Sequence, residues 1–189
     1  MQNDEALLKK IYQHIEKNTV ANNLNIEGIK ANFTDLTGLE AECLVANNGD
    51  FKASIFQDTY FRDCEFEGAN FEGCNMVGMQ VVDSYFRKAN FKEADLKYMV
   101  MNVSFAEGAC FDEADLTGAK LLDTAFDGSS FKKAKLINVM ADDASFKDAD
   151  LTGANLSGGS FKNSDFRGAK LTNIIWDDAQ LEGALWDNK

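Results

Sequence analysis

Residues 51–71 read FKASI-FQDTY-FRDCE-FEGAN-F, with phenylalanine at every fifth position. Followed outward, this frame runs almost to the C-terminus. From Phe51 to Trp186, 26 of 28 fifth positions are large and apolar, the exceptions being Ala106 and Ala141. Two residues before each lies a second, mostly small series, including Ser54, Cys64, Ala69, Cys74, Ala89, Ala114 and Ala119. Thr59, Met79, Met99, Thr124, Val139 and Ile174 break it. The three remaining positions hold most of the charge, and Gly or Asp is common two after the large residue. A period of five fits neither a helix at 3.6 nor a strand at 2. It fits a chain that turns a corner every five residues and points two side chains inward per side. Four sides close a coil of 20 residues, so 49–188 make seven coils. Stacked at the inter-strand spacing, they form a rod on the order of 34 Å long.

The composition agrees with a folded chain. Of 189 residues, 45% are hydrophobic and 26% charged, with a mean hydropathy of −0.30, which excludes intrinsic disorder. There is no proline, as expected where every coil must donate backbone N–H groups to its neighbour. Of 15 Phe, all but Phe33 and Phe105 sit on the frame, so the aromatic excess is a stacked interior. The net charge of −12 argues against electrostatic binding to nucleic acid or anionic lipid.

The units Ala69-Asn70-Phe71, Ala89-Asn90-Phe91, Ala94-Asp95-Leu96, Ala114-Asp115-Leu116, Ala149-Asp150-Leu151 and Ala154-Asn155-Leu156 resemble the pentapeptide repeat family. The resemblance covers about three quarters of the chain. It implies an all-β solenoid, a right-handed quadrilateral parallel β-helix, and by itself says little about function.

The ends depart from the frame. Residues 1–20 are read as a capping helix, from Asn3 to about Asn18, with Asn3 or Asp4 as N-cap, Asn18 at C′ and Leu7, Leu8, Ile11 and Ile15 on one apolar face. Such a helix would cover the open first coil, or bind a partner. Residues 21–48 read as one or two irregular coils of shifted phase, visible at Leu24, Ile29, Leu39 and Leu44, and 49–189 as the regular rod. Trp176 and Trp186 replace the usual Phe or Leu in the last two coils, with Leu185 beside them and no helix following. Either Trp186 folds over the end as a lid, or two rods meet end to end as a two-fold dimer. Dimerisation through C-terminal coils is known in the family that the repeats resemble.

Residues 20 apart should stack on one side. The positions after the large residue then form ladders of nearly alternating sign: Lys52, Glu72, Lys92, Asp112, Lys132 on one side, and Glu67, Arg87, Glu107, Asp127, Lys147, Arg167, Asp187 on another. They are read as register-fixing ladders, with a charged docking face as the alternative. The side carrying Phe61, Val81, Met101, Leu121 and Ala141 is different. Its outward positions include Tyr60, Val82, Val100, Val103, Leu122 and Met140. Tyr98 and Ile137 lie at one border, Tyr85 and Phe105 at the other, and Asp83 and Asp123 interrupt the area. An apolar patch over about four coils marks a partner contact. The alternative is that some of these side chains turn inward, Phe105 supplying the bulk that Ala106 lacks.

No catalytic, cofactor or metal site is expected. There is no phosphate-binding loop, no C-x-x-C among Cys43, Cys64, Cys74 and Cys110, and a single histidine, His14, outside the rod. The chain lacks a secretory signal pattern and a long apolar run, so a cytoplasmic, non-enzymatic protein without membrane or nucleic-acid partners is expected. Two functions follow. The first is a scaffold presenting a rigid rod to a protein partner. The second is implied by the resemblance: an acidic DNA mimic that binds DNA gyrase or topoisomerase IV and protects against quinolones. The interleaved charges and the absence of projecting loops weaken that second reading.

Overall fold

The structure, a computed structural model, describes residues 2–187, with side chains from Asp4 onward. Helix α1, Gln2–Lys17, opens the chain. It begins before Asp4, which therefore lies in the first turn and not ahead of it; the side chain of Asn3, the other expected cap, is outside the described residues. Its end is a Schellman motif: Asn18 adopts φ 50°, Thr19 N–H donates to the His14 carbonyl (2.9 Å) and Asn18 N–H to Ile15 (3.0 Å). Ile11 is fully buried in the same core as Ala21 and Ile26, with Leu7, Leu8 and Ile15 packed against it.

From Ala21 onward the chain is one right-handed parallel β-helix of square section. The short strands β1 (Ala21–Asn22), β2 (Glu40–Glu42), β3 (Tyr60–Arg62), β4 (Gln80–Val82) and β5 (Val100–Asn102) form a parallel sheet in chain order, each paired with residues 20 further on. Single parallel bridges carry the same 20-residue register through every other side, from Asn25↔Val45 to Asp165↔Leu185. Sides are numbered here by their first phenylalanine: side 1 from Phe51, side 2 from Phe56, side 3 from Phe61 and side 4 from Phe66.

One unit explains the five-residue period. Phe51 points inward and its N–H donates to the Asn70 carbonyl (2.8 Å), while Asp50 N–H donates back to Ile29 (2.8 Å). Ser54 N–H closes the corner on the Phe51 carbonyl (3.0 Å). The third residue of that turn, Ala53, is left-handed at φ 55°, as in a type II turn. Every corner from Asn23 to Gly183 has such a left-handed residue, with φ between 51° and 73°, although at side 3 Cys64 and Ser84 N–H donate to the serine hydroxyl of the next coil and not across the corner. Gly, Asn and Asp recur two after the large residue because they tolerate the left-handed region best.

The interior is filled by aligned rings. Phe51, Phe71, Phe91, Phe111 and Phe131 stack on side 1 at 5.3, 5.1, 4.8 and 4.7 Å, nearly parallel. Edge-on contacts such as Phe111–Phe126 (5.6 Å, 78°) join this column to that of side 4. Spacings near 4.8 Å follow from the coil repeat and suit aromatic pairs.

The shifted phase expected for 21–48 is corrected by the structure. Ala21, Ile26, Ala31, Leu36, Ala41 and Ala46 occupy the central inward position in unbroken frame, and all are buried. Leu24, Ile29, Leu39 and Leu44 occupy the companion position two residues earlier. What changes is the order of sizes: small residues move to the central position and large ones to its companion, so each coil is filled to a similar extent. The charge ladders form in part. Lys52–Glu72 (2.8 Å) and Arg87–Glu107 (3.1 Å) pair across one coil, but Lys92 turns to its neighbour Glu93 (3.2 Å). These pairs are exposed and individually weak.

Candidate partner surface

The coil containing residues 98–103 breaks the corner rule twice. Tyr98 and Val103 stand at left-handed corners, φ 57° and 51°, in columns where the other coils place Gly, Asn or Asp, with Cys43 the one further exception. For a β-branched or bulky residue this backbone is strained. Both side chains face solvent, Tyr98 64% and Val103 49% exposed. The Tyr98 ring lies over Gly118 of the next coil, where an added Cβ would come within 2.8 Å of it.

Between these corners, side 3 contributes one partly or largely exposed apolar residue per coil over four coils: Val82, Val100, Leu122 and Met140. Val100 is in β5, bridged to Gln80 and Lys120, and Lys120 to Met140. Leu122 sits one coil above Asn102, whose side-chain oxygen accepts its N–H (3.3 Å). Ile137, partly buried, lies on side 2. The corner column of side 3 reads Asp63, Asp83, Val103, Asp123, Asp143. Neither Asp83 nor Asp123 has an ion-pair partner among the described residues.

The other expected surface residues fall into separate groups. Tyr60 lies two coils away from Val100, its hydroxyl accepting from Arg62 Nε and Nη2 (3.0 and 2.7 Å). That hydrogen bond, and then the Glu42 charge, raise the Arg62 pKa above its ordinary value. Tyr85 and Phe105 stack on side 4 (5.1 Å, 8°), and the Arg87 guanidinium covers both rings at 5.0 and 5.1 Å. Phe105 therefore points outward and Ala106 inward, fully buried. The alternative, an exchange between them, does not occur: the strand alternation places neighbours on opposite faces, and the same coil supplies bulk through buried Met99 and Met101.

At the C-terminal end, the Trp186 ring lies flat on Phe166 (4.9 Å, 9°) and Trp176 meets it edge-on (6.1 Å, 88°). Phe166 is thereby buried, while about two fifths of each tryptophan remains exposed, with Ile175 and Leu185 outward beside them. Arg167, hydrogen-bonded to Asp165, holds that carboxyl well below the usual carboxylate range.

One exposed aromatic escaped the sequence reading. Phe33 occupies a left-handed corner (φ 58°) and is 80% exposed. The frame itself signals it, an aromatic two residues after a central one, but only once 21–48 are known to be in phase. Among the described residues, no group of three His, Cys, Asp or Glu side chains is placed to hold a metal ion, and no helix is long and apolar enough to cross a membrane.

The family described as pentapeptide repeats matches in eight copies, over residues 50–79, 64–97, 109–148 and 144–175. A trypsin-treated form of QnrB1, described as a plasmid-mediated fluoroquinolone resistance protein, is 17% identical with a TM-score of 0.59, over 89% of this chain and 84% of its own. HetL, a pentapeptide repeat protein involved in heterocyst differentiation regulation in the cyanobacterium Nostoc sp. strain PCC 7120, is 20% identical with a TM-score of 0.47, over 92% and 94%. No curated protein matches the chain. At these identities the QnrB1 likeness concerns the fold alone.

Proposed function

Because this chain belongs to the pentapeptide repeat family, we propose that it is a non-enzymatic scaffold whose rigid rod presents side 3 to a protein partner. The observation that carries this reading is the pair Tyr98 and Val103, apolar, exposed and left-handed in one coil. A residue that strains the backbone and buries little gives the fold no return, so such positions mark function. Val82, Val100, Leu122 and Met140 extend the area along the rod, with Ile137 on the adjoining side. Tyr60, Tyr85 and Phe105 serve as its margins, engaged by Arg62 and Arg87. A second copy of the chain docks at the other end, on Trp176, Leu185 and Trp186, whose outer faces are open.

The test is affinity capture from cell lysate with the wild type and with Val100→Asp/Leu122→Lys. The partner should be lost from the variant while its circular dichroism melt stays near wild type. Retention of the same partner by the folded variant refutes the surface.

A second reading, gyrase or topoisomerase IV binding by DNA mimicry, is favoured by the Asp63, Asp83, Asp123 and Asp143 column. Val103 interrupts that column, and mixed-sign pairs such as Lys52–Glu72 dilute the charge elsewhere. It fails if micromolar protein neither inhibits gyrase-driven supercoiling nor relieves ciprofloxacin.

A further inference from the structure

We propose that side 3 takes an amphipathic, cationic α-helix of the partner protein, lying along the rod across the coils of Val82, Val100, Leu122 and Met140. This rests on the scaffold reading and adds the chemistry of the occupant.

Three observations select it. First, the apolar residues at the strand positions of side 3 are arranged along the rod. Each coil offers only one of its two strand positions: Gln80 with Val82, Val100 with Asn102, Lys120 with Leu122, Met140 with Asp142. An extended peptide lying along the coil of Val82, Leu122 or Met140 would meet a single apolar strand residue, since its same-face side chains recur at roughly 6.8 Å; only the Val100 coil adds Tyr98 and Val103 at its corners. Edge pairing is closed to it as well, because the N–H groups on this side are spent between coils, as in Met101 to Lys120 (2.8 Å) and Val100 to Met79 (2.8 Å). A helix aligned with the rod repeats its i, i+3/i+4, i+7 face every 5.4 Å or so, close to the coil repeat of about 4.8 Å. Helix-in-groove recognition reads such anchors.

Second, Tyr98 and Val103 stand at the two corners that flank side 3 in the same coil and bound the strip laterally. Third, Asp83 and Asp123 flank Val103 in one column, two coils apart or roughly 9.6 Å, without an ion pair among the described residues. Helix residues at i and i+7 are about 10.5 Å apart, so Lys or Arg at those positions meets both carboxylates. The partner's face is therefore apolar with a basic margin, and the complementary charges steer encounter and orientation.

The experiment titrates two synthetic helical peptides of about five turns against the full chain by fluorescence anisotropy. They share one leucine face and carry either Lys or Glu elsewhere. The Lys peptide should bind and the Glu peptide should not. Tyr98→Asn/Val103→Asn, which keeps residues suited to left-handed corners, should weaken the Lys peptide by about tenfold or more. Asp83→Asn/Asp123→Asn should weaken it several-fold and flatten its loss between roughly 50 and 300 mM salt. Equal binding of both peptides, binding of neither, or Lys-peptide binding indifferent to both double variants overturns the cationic helix. If the Lys peptide fails while Val100→Asp/Leu122→Lys still loses its captured partner, the scaffold reading stands and only the occupant falls.

Discussion

Replacing Val103 by Asn tests whether this corner serves the fold or something else. A left-handed backbone costs a residue with a branched Cβ about 1–2 kcal/mol, and Asn far less. Against that gain stands the burial lost. Full burial of a valine stabilises by about 1.5 kcal/mol or somewhat more, and with 49% of Val103 exposed roughly half of that, ~0.8 kcal/mol, is at stake. Val103→Asn should therefore leave stability unchanged or raise it by up to about 1 kcal/mol, a Tm gain of at most roughly 2–4 °C for a chain of this size. The same change at Val81, fully buried on the same side, provides the contrast. It loses the whole side-chain burial and strands an amide in the core, a cost of about 3 kcal/mol. Urea unfolding followed by circular dichroism gives both values. If Val103→Asn destabilises by more than about 1 kcal/mol, its contacts outweigh its strain, and the argument from strain to function fails.

Further expectations concern the rest of the rod. Phe33→Asn, at a corner four fifths exposed, should stabilise by about 1 kcal/mol on the same grounds, read from the urea midpoint. Phe111→Ala removes a ring stacked between Phe91 and Phe131 and should cost about 3–5 kcal/mol, a Tm loss of roughly 2–4 °C per kcal/mol. Asp35, Asp50, Asp115, Asp150 and Asp165 are held below the ordinary carboxylate range, chiefly by hydrogen bonds to Thr37, Asn32, Thr117, Thr152 and Arg167, with burial opposing. A folded pKa below the unfolded one contributes stability above about pH 4 and loses it as pH falls. Urea midpoints should therefore drop on the acid side, and Asp165→Asn should drop less than wild type. Burial pushes the Cys64 and Cys74 thiols up to about 12, whereas Cys43 is exposed. Iodoacetamide at mildly alkaline pH should tag Cys43 first and spare the buried pair until the chain unfolds, as mass spectrometry can follow. Ile175→Asp/Leu185→Asp, both outward at the C-terminal end, should turn a dimer into a monomer by light scattering; a wild type that is already monomeric refutes end-to-end docking.

The period of five led directly to the coil, and the 20-residue bridges now run from Asn25 to Leu185. The reading worked because each coil contacts only its neighbours, so local pattern and tertiary position are nearly the same thing. It faltered at 21–48, where Ala31 and Ala41 took the central position and Ile29 and Leu39 the companion one. Two inward side chains share one interior, and packing constrains their combined volume, not the order in which the chain supplies it. Phe105 was ambiguous for a related reason. Beside Ala106 it could fill a gap, and only the stacking of coils places Tyr85 and Arg87 so that they hold it outside.

The partner surface was legible as a list of apolar residues and illegible as a geometry. Sequence spacing alone placed Val82, Val100, Leu122 and Met140 on one side, because alternation and coil length are backbone properties. It could not separate the strip from the Tyr85–Phe105 stack, nor mark Tyr98 and Val103 as strained, since both depend on backbone angle and on what the neighbouring coil leaves open. Gly118 beneath the Tyr98 ring is the plainest case: the glycine stands in the sequence, but that it makes room for an aromatic one coil away is decided by stacking. The five-residue frame, the coil of four sides and the inward phenylalanines were thus set by the order of residues, through interactions that are local along the rod. Which apolar side chains remain in solvent, and at what backbone strain, was decided by contacts between residues 20 apart in sequence that come within about 5 Å in the fold.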